Sequence, residues 1–472
     1  MIDRAIPWRA FLGSVAAVSL CAAAAKAQQV DASAPVRPTI LFNRWQEDWS
    51  VLADPRVPRE PFDNLKYISL SPNDPKVYLS LGGGLRERFE GNDAPSFGVG
   101  PNHSTDYDIS RLEAHADLRL GPQIQIFTQL ESAFAPGKTR LTPVDQNRLD
   151  LEQAFVAVSE PLEGGTLRLR LGRQQIAFDL QRFVAARDGP NVRQSYDAAW
   201  GDYEHGPWRY LAFYSLPVQN RDLRAFDDYS SARLTYGGLR VERKLSRTVE
   251  LSASYSRFTQ DGVKFPNARG DERRDILDVH LAGVARGIDW DAEAMGQTGR
   301  IGEDDIKAWA IGSLAGYTFV NLGWAPRIGL QVDAASGDTN PRDHQLGTFN
   351  PLFPNGYYVT LAGYTGYVNF IHVKPSLTLH PTKALKLMLA AAGQWRETTA
   401  DAVYTQPDIP VAGTAGRPGR YTGTYGQLRA DWAVNHNIAL ALEAVHFAVG
   451  DVIRRAGGHD GDYLGAELKF GW

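Results

Sequence analysis

The chain has 472 residues, of which 43% are hydrophobic, 22% charged and 11% aromatic, and its formal net charge is −4. An acidic balance of this kind gives nucleic acid nothing to bind, and beyond the first residues no run of ~18 apolar residues occurs that could cross a membrane as a helix. Residues 1–27 carry Arg4 and Arg9, an apolar run from Ala10 to Ala25, and then Ala25-Lys26-Ala27. This is the three-part layout of a secretory signal with a small-x-small cleavage site. Arg4 and Arg9 are not adjacent, which argues against a twin-arginine route, and Leu20 before Cys21 argues against a lipoprotein box. Cleavage removes Cys21, the only cysteine, so the mature chain has no thiol, disulfide or cysteine metal site. It also removes Arg4, Arg9, Lys26 and Asp3, lowering the formal charge from −4 to −6.

Residues 28–76 are rich in Pro and Asp, show no strand pattern, and read as a periplasmic lead-in. From residue 77 the chain repeats with a period of two. Strands are predicted at 77–90, 106–120, 123–135, 147–159, 166–176, 192–203, 207–217, 229–243 and 248–259. They continue at 273–285, 288–298, 306–319, 327–337, 369–380, 384–397, 421–434, 437–449 and 461–472. After even strands the links are short, as in Gly121-Pro122, Arg286-Gly287 and Asn435-His436, whereas odd strands are usually followed by longer ones, such as 91–105, 177–191, 338–368 and 398–420. Short turns on one side and long loops on the other, with an even strand count, describe an all-β, antiparallel, up-and-down transmembrane barrel of about eighteen strands over 77–472. A soluble sandwich has no reason to alternate its link lengths.

Several strands show two unlike faces. Leu112, Ala114, Ala116, Leu118 and Leu120 share one side, against Arg111, Glu113, His115, Asp117 and Arg119 on the other. Leu167, Leu169 and Leu171 oppose Arg168 and Arg170. Charges on the inner side imply water there, because Arg or Lys facing hydrocarbon at the midplane costs ~2–4 kcal/mol. Glu87 breaks the pattern by falling outward between Leu85 and Phe89; either it lies above the apolar band or Gly82-Gly83-Gly84 shifts the register with a bulge. Trp290, Trp309, Trp324, Trp395, Trp432 and Trp472 suit an interfacial girdle against outer-membrane lipid and lipopolysaccharide, with a lumenal position open to some of them. In the last strand Leu464, Ala466, Leu468, Phe470 and Trp472 share a face opposite Gly465, Glu467, Lys469 and Gly471. This segment resembles the closing strand of bacterial outer-membrane barrels, whose terminal aromatic is read by the barrel insertion machinery.

A run of local motifs is similar to the alginate export family: EDWSVLADP at 47–55, LKYISL at 65–70, YLSLGGGLRERFE at 78–90, RLDLEQAFV at 148–156 and LGRQQ at 171–175. RDGPNVRQSYD at 187–197, FDD at 226–228, ASGD at 335–338 and GTFNPLFP at 347–354 continue the match in order, and beyond residue 380 no motif matches. The resemblance implies an eighteen-stranded outer-membrane passage for an anionic polysaccharide, lined by arginines that meet uronate carboxylates. Arginine suits that task because its planar fork engages carboxylates in defined geometry and stays charged. Strand alternation places Arg86, Arg88, Arg111, Arg119, Arg168 and Arg170 inward, and the family motifs add Arg148, Arg173, Arg187 and Arg193. Strict parity sends Arg173 outward unless Gly172 marks a bulge or the strand has already left the membrane there. The competing account is structural: Glu90, Glu113, Asp117, Glu131, Asp150 and Glu152 are inward too, and a cross-strand ladder of ion pairs would only stiffen the wall.

The 338–368 loop carries Phe349, Phe353, Tyr357 and Tyr358; it either folds into the mouth as a constriction offering aromatic faces to sugar rings, or packs against neighbouring loops and the outer girdle. RDGPNVR at 187–193 reads as a Gly-Pro turn that either aims Arg187 and Arg193 at the channel or is simply a well-formed turn. No catalytic or calcium-loop pattern occurs, and neither a cofactor nor a metal is called for; Asp227-Asp228 and Asp304-Asp305 could meet a divalent ion or lipopolysaccharide counterions, or be merely solvated. Three functions compete. The first is a conduit for anionic polysaccharide, served by periplasmic export proteins. The second is a general or uptake porin for small anions or oligosaccharides. The third, an outer-membrane enzyme, lacks the Ser/His or Asp/His rim that such barrels carry.

Overall fold

The computed structural model describes residues 36–100 and 104–472, so the expected signal at 1–27 lies outside the described residues. Eighteen strands form one closed antiparallel barrel. They are β1 Val77–Asn92, β2 Thr105–Leu120, β3 Ile124–Phe134, β4 Asn147–Leu162, β5 Gly165–Gln174, β6 Tyr196–His205, β7 Trp208–Pro217, β8 Leu234–Lys244 and β9 Val249–Lys264. The ring continues with β10 Arg269–Ala285, β11 Ile288–Ile301, β12 Asp304–Thr318, β13 Arg327–Ala335, β14 Phe370–Leu379, β15 Leu385–Trp395, β16 Tyr421–Ala433, β17 Ile438–Val449 and β18 Gly461–Gly471. Closure satisfies every strand edge, which the hydrocarbon of a bilayer demands. The outer face carries the apolar belt, with Leu112, Leu171, Leu239, Leu277, Ile328 and Leu442 among its exposed side chains. Two outer links are shorter than the sequence pattern suggests: 265–268 joins β9 to β10, and Gly302-Glu303 joins β11 to β12.

The register of β1 with β2 runs without a slip from Val77 opposite Leu120 to Asn92 opposite Thr105, so the bulge considered for Gly82–Gly84 is absent. Glu87 is exposed on the outer face, and its carboxylate accepts the Ser110 hydroxyl at 2.6 Å. The ring closes where β1 meets β18, from Gly84 opposite Gly471 to Asn92 opposite Tyr463. Beyond that ladder Trp472 N donates to Gly83 O at 3.1 Å, and the indole lies over Gly83 so closely that a Cβ there would come within 2.6 Å of it. Phe62 and Phe470 flank the indole at 5.4 and 5.7 Å, and Arg44 donates to the Trp472 carbonyl.

The segment ahead of β1 enters the barrel. Trp49, Leu52 and Val57 pack on Tyr78 of β1. Trp45 meets Phe155 of β4 edge-on at 5.8 Å and lies 4.5 Å from the Arg170 guanidinium of β5, and its carbonyl accepts from Arg119 of β2 and Gln125 of β3. The lead-in thus occupies the lower lumen along β1–β5. Lys66 is buried here near Glu47 at 3.7 Å and over Trp49, and burial pushes its ammonium down to about 7.

The upper lumen is filled by two loops, 175–195 and 336–369, which pair with each other where Ala185 N donates to Phe353 O at 2.9 Å and Phe353 N to Phe183 O at 2.8 Å. Phe353 is ringed by Tyr196 of β6, Tyr236 of β8 and Phe258 of β9 at 5.3, 5.9 and 6.0 Å, while Phe183 packs on Phe349 and Tyr367. Across the barrel, Tyr357 donates to Glu90 of β1 at 3.2 Å, Tyr358 to Asp333 of β13 at 2.9 Å, and Tyr425 of β16 to Val359 O at 2.7 Å. The 336–369 loop therefore touches walls on opposite sides and is a plug. Of the two placements open to it, it takes the inward one, but Phe349 and Phe353 are buried among loop and wall aromatics, not presented to a passage.

Gly83→Val should displace the terminal indole and split the seam between β1 and β18. Most of the outer-membrane chain should then migrate as unfolded on heat-modifiability gels. Arg182→Met should release the plug, because Glu293, 2.8 Å from that guanidinium, loses its buried cation at a cost of ~3–5 kcal/mol, while Asp291, at 2.6 Å, keeps only His280. Amide exchange of 181–187 and 350–358 should then quicken by about a hundredfold or more, with the wall strands still protected.

Candidate functional site

Arg86 and Arg88 of β1 and Arg111 of β2 alternate with the outward residues and point into the barrel, where all three are buried. Arg86 pairs with Glu467 of β18 at 2.6 Å and donates to the carbonyls of Gly189 and Pro190 at 3.2 and 3.3 Å. Arg88 pairs with Glu90 at 2.7 Å and with Glu443, and lies 5.1 Å from the Tyr357 ring. Arg111 reaches Glu113 at 3.4 Å, donates to Asn191 O at 3.1 Å and binds the Asp188 carboxylate. Arg193 joins them from the loop, at 2.5 Å from Glu113, 2.9 Å from Asp188 and 3.3 Å from Glu152, with Phe42 of the lead-in against its guanidinium at 4.3 Å.

The other arginines singled out from the motifs stand elsewhere. Arg187 lies in the plug with a positive φ of 56°, packs on Phe353 at 5.6 Å and donates to Leu352 O at 3.4 Å. Arg173 keeps strict parity, since the register through Gly172 is continuous; it is paired across the strands with Asp197, to which its Nε donates at 2.9 Å, on the outer side. Arg148 is half exposed at the outer end of β4 and pairs with Asp222 at 3.1 Å. Neither Arg173 nor Arg148 joins the buried cluster.

The centre of that cluster is Asp188, which the motif reading passed over in favour of its neighbours Arg187 and Arg193. Its carboxylate takes Arg111, Arg193 at 2.9 Å and Lys469 of β18 at 2.9 Å, and Arg86 holds the two carbonyls that follow it. Burial alone would raise this carboxyl, but Lys469, Arg193, Arg111 and Arg86 outweigh burial and hold it well below the usual carboxylate range. Asn191 fastens the segment 186–191, a strap across the barrel wall, by donating to the carbonyls of Ser110, Phe134 and Asp145 at 3.1, 2.8 and 3.0 Å. Other wall cations treat the plug in the same way: Lys374 of β14 donates to Val359 O at 2.9 Å and Arg274 of β10 to Thr348 O at 3.3 Å.

Glu113, Glu131 and Glu152 approach one another within 4.8 Å, but Arg111 and Arg193 supply counter-charge among them. Asp150, Asp227 and Asp228 form a second acidic group whose oxygens accept the amides of Leu223, Arg224, Arg221 and Asp228. The chain's own donors serve most of these oxygens, while Glu131 Oε2 and Asp227 Oδ1 accept no hydrogen bond among the described residues.

The family model described as Alginate export matches residues 77–467. None of the curated proteins compared with the chain matches it. Among solved structures, Acinetobacter baumannii OccAB1 superposes with a TM-score of 0.56 at 10% identity, covering 87% of this chain and 99% of that one. Pseudomonas aeruginosa opdK gives 0.55 at 10% identity over 84% and 98%, and OpdQ from the same organism 0.54 at 10% over 84% and 97%. At such identity these likenesses establish the porin barrel fold. With a family match over nearly the whole barrel and a closed ring of eighteen strands, the chain belongs to the Alginate export family and is a barrel of the bacterial outer membrane.

Proposed function

We propose that this barrel passes an anionic polysaccharide, a polyuronate such as alginate, and that the strap at 186–191 occupies the path until the cargo displaces it. The observation that carries this reading is Asp188: a single loop carboxylate gathered by Arg111, Arg193 and Lys469, with Arg86 on the carbonyls beside it. A uronate unit offers the same groups, one carboxylate flanked by oxygen acceptors, so it can exchange for the strap with the hydrogen-bond count kept. The second reading is uptake of small anions or oligosaccharides. It is favoured by the size of the cradle, which takes one carboxylate, and by the solved complex of OpdK with vanillate.

Planar-bilayer recordings separate the two. In its rare open intervals the channel should prefer anions, and polyuronate that has entered in place of the strap should block that open-state current more strongly at low salt, since the Debye length falls to ~8–10 Å near physiological ionic strength. Replacing Arg86 and Arg111 by Gln should weaken the block about tenfold or more, as expected for losing charge-assisted hydrogen bonds worth ~1.5–3 kcal/mol each. Block by a monomeric uronate but not by the polymer would establish the small-anion reading. A cation-selective pore indifferent to both would overturn the proposal.

A further inference from the structure

The four long strands β9–β12 carry charge where the barrel's purpose as a conduit does not use it, on the outside. Their outer connections are the two short links, 265–268 and Gly302-Glu303, so no long loop from these hairpins covers the face. The outward residues Tyr255, Leu277, Val279, Trp309 and Ile311 are exposed and belong to the apolar belt, with Tyr255 and Trp309 at its outer rim. One step beyond, Arg257, Asp275, Thr298 and Lys307 stand in register across the four strands. The next row is Thr259, Arg273, Arg300 and Asp305.

Arg273 and Arg300 are therefore direct cross-strand partners on one face, an arrangement that repels unless something negative lies between them. Their side chains are 56% and 75% exposed. Asp275 lies 2.7 Å from Arg257 and 3.6 Å from Arg273, and Asp305 lies 3.1 Å from Arg300, which leaves four cations to two acids within these rows. Lys307 makes no ion pair among the described residues. Arg257 is the diagonal neighbour of Arg273, and Lys307 that of Arg300, so within these two rows the excess charge is centred on the arginine pair, with Asp271 the next outward residue beyond Arg273.

We propose that this face binds the phosphorylated headgroup of an outer-leaflet glycolipid, with Arg273 and Arg300 clamping a phosphate, Arg257 and Lys307 flanking it, and the acyl chains lying along Leu277, Val279 and Ile311. Guanidinium forks match phosphate oxygens. The cations stand directly above an apolar surface, which suits an amphiphile and not a free ion. The inference rests on the barrel and its outer face alone and is independent of the cargo.

The test is binding of bisphosphoryl lipid A to the purified mature chain in detergent, measured by native mass spectrometry beside the dephosphorylated lipid and inorganic phosphate. The chain should retain the bisphosphoryl form in preference to the dephosphorylated one. The double variant Arg273→Gln/Arg300→Gln should weaken that binding tenfold or more, and Arg243→Gln, an exposed arginine near the far end of β8, should leave it unchanged. If the double variant fails the heat-modifiability check, Arg300→Gln alone should weaken binding at least about threefold. Equal retention of the dephosphorylated lipid, undiminished binding by folded variants, or displacement of the lipid by equimolar inorganic phosphate would overturn the proposal.

Discussion

A ring of eighteen strands encloses more space than its own inward side chains can fill, and the rest of this structure depends on how that space is occupied. Narrow barrels solve the problem with wall residues alone. Here the lead-in enters from below, the loops 175–195 and 336–369 enter from above, and wall cations hold all three in place. The barrel is the rigid element and the filling is the part with a choice of positions.

The ties that fix the filling are of two kinds with different consequences. Aromatic contacts around Phe353 and Phe183 exclude water and give the plug a core of its own. The ion pairs specify where it sits. A buried pair adds little net stability because desolvation offsets attraction, yet removing one partner is costly, so such pairs define position more than they add strength. Asp188 shows the positioning role most clearly, although it is only partly buried and Lys469 is exposed: three cations meet a carboxylate that belongs to the strap, and in the proposed release Arg111 and Lys469 stay on the wall with Arg193 at the strap's base. The carboxylates that neutralise Arg88, by contrast, come from the wall itself, in Glu443 and Glu90, which marks that arginine as part of the scaffold.

The strands were legible in the sequence because the bilayer imposes a rule on every second residue. Leu167, Leu169 and Leu171 against Arg168 and Arg170 could be read without knowing any neighbour, and the count of eighteen followed from such runs and from link lengths. Side-chain direction at strand ends was less secure. Arg148 and Arg173 came from motifs, and their outward placement depends on the slips in register of β4 against β3 around Glu152 and on the absence of one at Gly172. The site's centre was hidden for another reason. Loops have no period, and Asp188 meets Lys469 across 281 positions of chain, a contact that only barrel closure creates. The entry of Trp45 into the lower lumen was equally unreadable, since nothing local distinguishes a lead-in that hangs below a barrel from one that fills it.

The most direct test of the account is the single-channel conductance of the chain with and without its filling. Replacing 182–188 and 352–358 by short Gly-Ser linkers removes the paired tips of both loops and leaves every strand intact. The account predicts that the intact barrel conducts little and opens rarely, and that the shortened one shows a large, steady current with anion preference. A large steady current through the intact barrel, unchanged by the deletion, would contradict it.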